Sequence, residues 1–439
     1  TSASNSVPSW ISPNRELGSH EQTVFEETPR PRPTLSVSSP RTVGACFSGL
    51  QLPAGVEPYM IQEIVKLIQL DKNGIYPYEI CLDDHPVERG WFPYMLSDEC
   101  CLQSMMFSVR AFTDGAQPNQ LSRFARLHIT KTLQMLQARL NDPDQSFAIS
   151  DGTIMVVFFL ASAAELMGDF AAVENHIRGL EKIVNLRGGV RALNVHNNLQ
   201  VKVCRADLSY ALLSGRQPLF FKTSISWDYF LADRGLIQCS HSPHDTSIHI
   251  FLKTNIDTRL HNIFRDLHAF SCISNLAYQT TRKLSPDIYN EVMISILYRL
   301  THLSFDNPMQ EALRLSMLAV SSTIFMQRQF MDNPYTYLLN LYRNALFQVS
   351  SSTGPQLPVS LSLWMTVLLH VVERGEQSLE DGRGERLDRA VSNAGVESWP
   401  QAREMLRSVV WIDFVHDRVG KLVFEASMVR LGKSAIWDS

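Results

Sequence analysis

The sequence predicts an all-α protein, and three observations support this. From about residue 58 onward, apolar residues recur at intervals of three and four, the spacing of one helix face. Alternation with a period of two never persists beyond a few residues, so no strand pattern emerges. Helix-capping signals punctuate the pattern, with Ser150 before one apolar run and Gly188-Gly189 after the next. We expect one large domain of antiparallel helical hairpins over residues 46–439, preceded by a disordered linker.

Residues 1–45 are predicted to be this linker. They are rich in Ser, Thr and Pro and lack apolar periodicity, a composition typical of flexible chain with local extended structure. The chain begins with Thr1 instead of Met. We therefore expect it to be a processed form or a piece of a longer protein.

The helices of the first half are predicted from their apolar faces and their ends. They cover residues 59–70, 97–113, 122–140, 154–167 and 170–187. Ser150 is the expected N-cap of the very apolar fourth helix. The short turn Gly168-Asp169 then predicts that the fourth and fifth helices form an antiparallel hairpin.

The second half repeats this organisation without a fixed sequence period. Helices are predicted at residues 257–283, 286–304, 307–329, 334–349, 358–374 and 399–431. Residues 227–256 are expected to be irregular and His-rich, and residues 376–386 to form a charged loop.

Composition and charge exclude several classes of protein. The formal net charge is −4 and no strongly basic run occurs, so the chain itself is not expected to read DNA. Its seven cysteines are scattered without a C-x-x-C pair, which argues against a structural zinc site and fits a reducing compartment. The longest apolar run, residues 154–164, is shorter than the roughly 18–20 residues of a membrane span.

No pattern for catalysis or metal binding stands above the alternative readings. Asp413, His416 and Asp417 lie close together on one predicted helix, but a solvated helix edge explains them better than a metal site. His241, His244 and His249 lack regular ligand spacing and are interpreted as a polar loop. We therefore predict no catalytic residue and no metal ligand, and an enzyme on a helical fold is only a second alternative.

The most informative stretch is the helix from Phe170 to Arg187 with its abrupt end at Gly188-Gly189. Its apolar residues lie on one face, and a cation at Arg187 suits the carbonyl end of a helix. Gly179 lies mid-helix, where glycine costs about 1 kcal/mol relative to alanine. We expect this glycine to permit close approach of a neighbouring helix, with Ala161, Ala163 and Ala164 as candidate partners.

The same stretch carries a resemblance to a known family. His176, then Gly179-Leu180, then Arg187-Gly188-Gly189 resembles the central signature of the fungal-specific transcription factor domain. This domain is the helical regulatory region C-terminal to the zinc binuclear cluster of many fungal regulators. Further blocks in the same order resemble it over residues 46–439; they begin at Arg205-Ala-Asp207, Pro218-Leu-Phe220, Glu311-Ala-Leu-Arg314, Leu363-Trp364-Met365 and Leu406-Arg-Ser.

The motif residues are expected to be structural. His176 and Arg187 are predicted to bind neighbouring carbonyls or carboxylates, and Asp207 is one candidate partner of Arg187.

An apolar effector pocket is a further hypothesis. Large aromatic and Met side chains are dense in the second half, and between helices they could line a cavity for a small hydrophobic effector. The candidate residues are Phe325, Met326, Trp364, Met365, Trp411 and Phe414. Some members of the resembled family are regarded as sensors of this kind. An ordinary core is the competing interpretation.

The resemblance implies a regulatory role in the nucleus, or in nucleus and cytoplasm. Expected partners are other proteins of the transcription machinery, a second copy of the chain and a small hydrophobic effector. DNA would be reached only through an N-terminal module outside this chain, and zinc would be a cofactor only if that module holds a cysteine cluster. The first alternative is a stand-alone helical scaffold or inhibitor without a DNA-binding module.

Overall fold

Helices account for most of the described structure. The computed structural model describes residues 57, 59–60, 62–63, 77–82, 97–114, 121–193, 198–231, 246–326, 335–351, 357–373 and 383–433. Their α-helices are α1 (Glu99–Thr113), α2 (Arg123–Leu140), α3 (Asp151–Leu166), α4 (Phe170–Leu186), α5 (Leu199–Ser214), α6 (Thr246–Asn255), α7 (Thr258–Gln279), α8 (Pro286–Thr301), α9 (Pro308–Phe325), α10 (Thr336–Ser351), α11 (Val359–Val372), α12 (Arg383–Ala394), α13 (Trp399–Arg407) and α14 (Asp413–Arg430). Within these ranges the extended pairing is limited to a single bridge between Cys81 and Leu284. The prediction of an all-α fold is confirmed.

Helix α1 forms the centre of the first group of helices. It packs against α2 on one side and α3 on another, and α3 in turn packs against α4. Every residue from 100 to 109 is buried. By contrast, α2 buries only a narrow stripe, Ala125, His128, Thr132 and Leu136, at helical spacing.

Helices α9 and α11 form the centre of the second group. Helix α9 packs against α8, α10 and α11, while α11 packs against α12, α13 and α14. Their side chains are buried almost all round, as expected of helices covered on every face. Helix α5 joins the two groups because it packs against α3 and α4 as well as α8 and α10.

Several local predictions were wrong, while others are confirmed. Helix α6 lies inside the stretch that was expected to be irregular, and α12 was not predicted at all. The helix predicted at residues 399–431 is divided into α13 and α14 by a non-helical turn at residues 408–412. The side chain of Ser150 does cap α3, since it accepts the Thr153 N–H at 3.3 Å.

Other predictions fall outside the described residues. These are the linker at residues 1–45, most of the helix predicted at 59–70, most of the charged loop at 376–386, and His241 and His244. For His249 the structure describes the backbone but not the side chain.

Candidate functional site

The signature helix α4 is amphipathic, as its sequence predicts. Asp169 caps it by accepting the Ala172 N–H at 3.0 Å. The buried face consists of Val173, Ile177, Leu180, Ile183 and Val184. Because Leu180 belongs to this face, its role in the signature is to pack α4 against the rest of the domain.

The end of α4 depends on two glycines with positive φ. Gly188 has a φ of +100° and Gly189 a φ of +89°, values that L side chains rarely adopt. The Gly189 N–H donates to the Val184 carbonyl at 2.9 Å and closes the helix. The predicted end of the helix at Gly188-Gly189 is therefore confirmed, and Arg187 is the C-cap.

Arg187 pairs with Asp151, the first residue of α3. Its guanidinium Nη1 donates to Asp151 Oδ1, and both side chains are largely buried. The suggestion that Asp207 is the partner of Arg187 was wrong. In an antiparallel hairpin the start of α3 lies beside the end of α4, which brings these two residues together.

The two remaining signature residues, His176 and Gly179, make fewer defined contacts than Arg187. His176 is half-buried, and burial lowers the pKa of its imidazole while the nearby Asp169 opposes that shift. Its ring has no hydrogen bond to any residue of the described ranges, so the predicted polar contact is not found there. The expected role of Gly179 was wrong, because a Cβ at this position would meet no described heavy atom within 4 Å.

Asp207 fixes the start of a long connection between α5 and α6. Its carboxylate accepts the Leu219 N–H at 2.8 Å, the Phe220 N–H at 3.1 Å and the Tyr298 hydroxyl at 2.8 Å. The side chain is buried, and burial raises its pKa while these three donors oppose the shift. An ionised carboxylate can only accept hydrogen bonds, and all three neighbours of Asp207 donate one, so the surroundings fit the ionised form.

A second buried acid, Asp266 of α7, fixes the same connection further along. It accepts the Phe230 N–H at 3.0 Å and the Leu231 N–H at 2.9 Å, and it pairs with Arg299 at 2.7 Å. Arg299 also donates to the Asp228 carbonyl at 3.2 Å. This fully buried pair was not predicted, because no local signal joins residues 266 and 299.

The turn at residues 408–412, which we call the clasped turn, is held by side chains from distant helices. His268 of α7 contacts the Val409 carbonyl through Nδ1 at 2.6 Å. The indole Nε1 of Trp364 donates to the Val410 carbonyl at 2.6 Å. Asn275 donates to the Trp411 carbonyl at 2.7 Å and accepts the Asp413 N–H at 2.9 Å. These bonds satisfy buried backbone groups that a broken helix would otherwise leave unpaired.

His416 closes the clasped turn from α14. Its Nδ1 accepts the Ile412 N–H at 3.1 Å, so in the neutral ring the proton is on Nε2, which faces the Thr323 hydroxyl at 2.9 Å. Burial lowers the pKa of this imidazole to about 3. The ring is therefore neutral at physiological pH.

The acids around His416 also bind protein groups. Asp413 forms a double contact with the Arg407 guanidinium, and Asp417 accepts the Trp411 indole N–H at 2.8 Å. Within the described ranges no group of three or more His, Cys, Asp or Glu side chains is placed to hold a metal ion.

Gly420 was missed as a close-contact position. A Cβ here would lie 2.6 Å from Cζ2 of Trp411 and 2.9 Å from Cη2 of Trp399. These distances are below any real Cβ contact, so only glycine allows the two indoles to pack against α14. Trp399 and Trp411 themselves meet edge to face, with ring centroids 6.2 Å apart.

The six residues predicted for an apolar pocket have different surroundings in the described structure. Phe325 packs against Phe270 and Tyr289, with centroids 5.0 and 5.3 Å away. Trp364 of α11 donates to the clasped turn, and Trp411 is part of that turn. Met326 and Met365 are also buried, whereas Phe414 is partly exposed and contacts Tyr278 at 5.7 Å. The effector pocket stays a prediction.

Comparison with known proteins gives no assignment. No family model, no curated protein and no solved structure matches this chain. Of the helices in the described ranges, none combines the length and the apolar character needed to cross a bilayer.

Proposed function

We propose that this chain is the regulatory region of a fungal transcription factor, and that it acts through a partner protein, a second copy of itself or a small hydrophobic effector. One observation carries the proposal: several of the sequence blocks that produce the resemblance fix a connection between helices. Arg187-Gly188-Gly189 fixes the end of α4, Asp207 fixes the connection after α5, and Trp364 fixes the clasped turn.

The block that begins at Glu311 follows the same rule. Glu311 accepts the Phe305 N–H at 3.1 Å and pairs with Arg314, which also donates to the Leu300 carbonyl at 3.0 Å. Together these contacts fix the turn between α8 and α9. A set of motifs that maintains one helical body suits a domain whose members bind different partners.

Regulation on this body would be a shift between two packings of the helices. An effector or partner can drive such a shift only if its affinity differs between the two packings. The clasped turn is a natural point for that difference, because α7, α11, α13 and α14 all meet there. In this proposal the chain acts in the nucleus, DNA is reached through an N-terminal module, and zinc belongs to that module.

A tethered reporter experiment tests the proposal. The chain is fused to an unrelated DNA-binding domain in fungal cells, and transcription from a promoter with the matching site is measured. We expect a several-fold change, in either direction, relative to the DNA-binding domain alone. Asp207→Ala removes the buried contacts that fix the connection after α5 and should abolish the change in transcription. Lys131→Ala, on the exposed face of α2, is the matched control and should preserve that change.

The outcomes separate the proposal from its alternatives. Unchanged transcription with a folded fusion protein at equal abundance contradicts a regulatory role. Unchanged transcription with stable capture of a protein partner by the chain would favour the scaffold or inhibitor. Turnover of a substrate that is lost on substitution of one side chain, without loss of folding, would favour an enzyme.

A further inference from the structure

A cysteine and a histidine one turn apart on α7 have the arrangement of a nucleophile and its base. Cys272 Sγ lies 3.7 Å from His268 Nε2. The other ring nitrogen, Nδ1, lies 2.6 Å from the Val409 carbonyl oxygen. A carbonyl oxygen can only accept, so Nδ1 carries the proton and Nε2 of the neutral ring is an acceptor that faces the thiol.

The imidazole is held firmly in this orientation. His268 is buried and stacks on Phe264, with centroids 6.0 Å apart and an interplanar angle of 16°. The Val409 carbonyl has the orienting role that a carboxylate or amide has in other nucleophile–base pairs. Cys272 is therefore the nucleophile, His268 is the base beside it, and the Val409 carbonyl orients the base.

Cys272 also differs from the other described cysteines in access. Its side chain is partly exposed, whereas Cys81, Cys100, Cys101 and Cys204 are buried. Burial raises the pKa of the Cys100 thiol to about 11 and that of Cys204 to about 12. A buried thiol without access to reagents acts as a small apolar side chain, whereas an accessible thiol beside a base is reactive.

We propose that Cys272 is a redox-modification site, which reacts with small hydroperoxides while His268 accepts its proton. The sulfur attacks one oxygen of the peroxide, an S–O bond forms and the O–O bond breaks. The proton taken by Nε2 is returned to the departing hydroxide. With hydrogen peroxide the products are the sulfenic acid of Cys272 and one water; sulfur is oxidised by two electrons and the peroxide is reduced by two. This inference is independent of the proposed transcriptional role.

The rate of sulfenic acid formation at Cys272 tests the proposal. The folded chain is treated with a low concentration of hydrogen peroxide, the sulfenic acid is trapped with a cyclic 1,3-dicarbonyl reagent, and the peptide is quantified by mass spectrometry. The same chain unfolded in urea is the reference. We expect the folded protein to react about tenfold faster at Cys272, because the unfolded thiol has lost its base. An equal or slower rate in the folded protein overturns the proposal.

Two substitutions test the role of the imidazole. In His268→Gln the amide can still donate to the Val409 carbonyl but cannot take a proton, so the rate at Cys272 should fall about tenfold. His302→Gln is the matched control, since the His302 imidazole binds a carbonyl at Tyr298 in the same way. An undiminished rate in a folded His268→Gln protein contradicts the proposal. Should that variant not fold, the comparison of folded and unfolded wild-type chains decides.

Discussion

The contact between Tyr298 and Asp207 leads to a quantitative prediction. Both residues are buried, and the hydroxyl donates to the carboxylate at 2.8 Å. Tyr298→Phe removes that donor and leaves the carboxylate with two backbone N–H groups. Tyr289 is a matched control on the same helix: it is equally buried, and its hydroxyl donates at 2.7 Å to the neutral carbonyl of Ile324.

The difference in charge of the two acceptors sets the expected magnitudes. A hydrogen bond to a charged group contributes roughly 1.5–3 kcal/mol, and one between neutral groups roughly 0.5–1.5 kcal/mol. Tyr298→Phe should therefore lower the free energy of unfolding by about 2 kcal/mol, and Tyr289→Phe by about 1 kcal/mol. Each substitution removes one oxygen from a buried tyrosine, so the change in packing is closely similar.

Urea unfolding at neutral pH, followed by far-ultraviolet circular dichroism, gives both free energies. The slopes of the two transitions must agree, because a changed slope would indicate a change in the unfolded state or an intermediate. If Tyr298→Phe costs no more than Tyr289→Phe, the carboxylate of Asp207 is not the charged, buried anchor described above.

Three further predictions concern pH and the helix connections. Burial lowers the pKa of His416 to about 3 and that of His128 to about 4, so the native rings stay unprotonated between pH 7 and pH 5 while the unfolded imidazoles bind protons. The free energy of unfolding should therefore fall by roughly 2 kcal/mol for each of the two histidines from about pH 7 to about pH 5. Equal urea midpoints at the two pH values would contradict this. Trp364→Phe should cost about 1–3 kcal/mol, since the Val410 carbonyl loses its buried donor, and a urea titration that shows no loss would rule out that bond. A double-mutant cycle of Arg187→Met with Asp151→Asn should give a coupling energy of about 1 kcal/mol, and a coupling near zero would argue against the pair.

Local sequence signals were sufficient to predict the hairpin of α3 and α4. The spacing of Val173, Ile177, Leu180 and Val184 predicted a helix, and the glycines after Arg187 predicted its end. Even the partner of Arg187 could have been found by geometry. A short turn between two antiparallel helices places the first residue of one, Asp151, beside the last turn of the other.

The clasped turn could not be predicted in this way. The apolar run from Val409 to Ile412 continues the helical pattern on both sides, so residues 399–431 were interpreted as one helix. The break is stable because His268, Asn275 and Trp364 bind its carbonyl groups, and those residues lie at least 46 positions away along the chain. Long-range partners override local propensity in such a case.

The partners of the buried acids Asp207 and Asp266 could not be predicted from local sequence either. Asp207 was singled out by the resemblance, yet its true partners are two amides and a tyrosine from other segments. Asp266 and Arg299 were not singled out, because each looks like an ordinary polar position on its own helix. The pairing of two such residues depends on how α7 and α8 pack, which no short pattern encodes.

The native transcript is the most direct test of membership in the resembled family, on which the proposed role depends. The measurement is to determine that transcript and to read the codons that precede Thr1 in the same frame. We expect a segment with six cysteines in two closely spaced groups of three, interleaved with Lys and Arg, which would bind zinc and read DNA. A start codon shortly before Thr1, with no such cysteine cluster, would contradict the proposed role and favour the stand-alone scaffold or inhibitor.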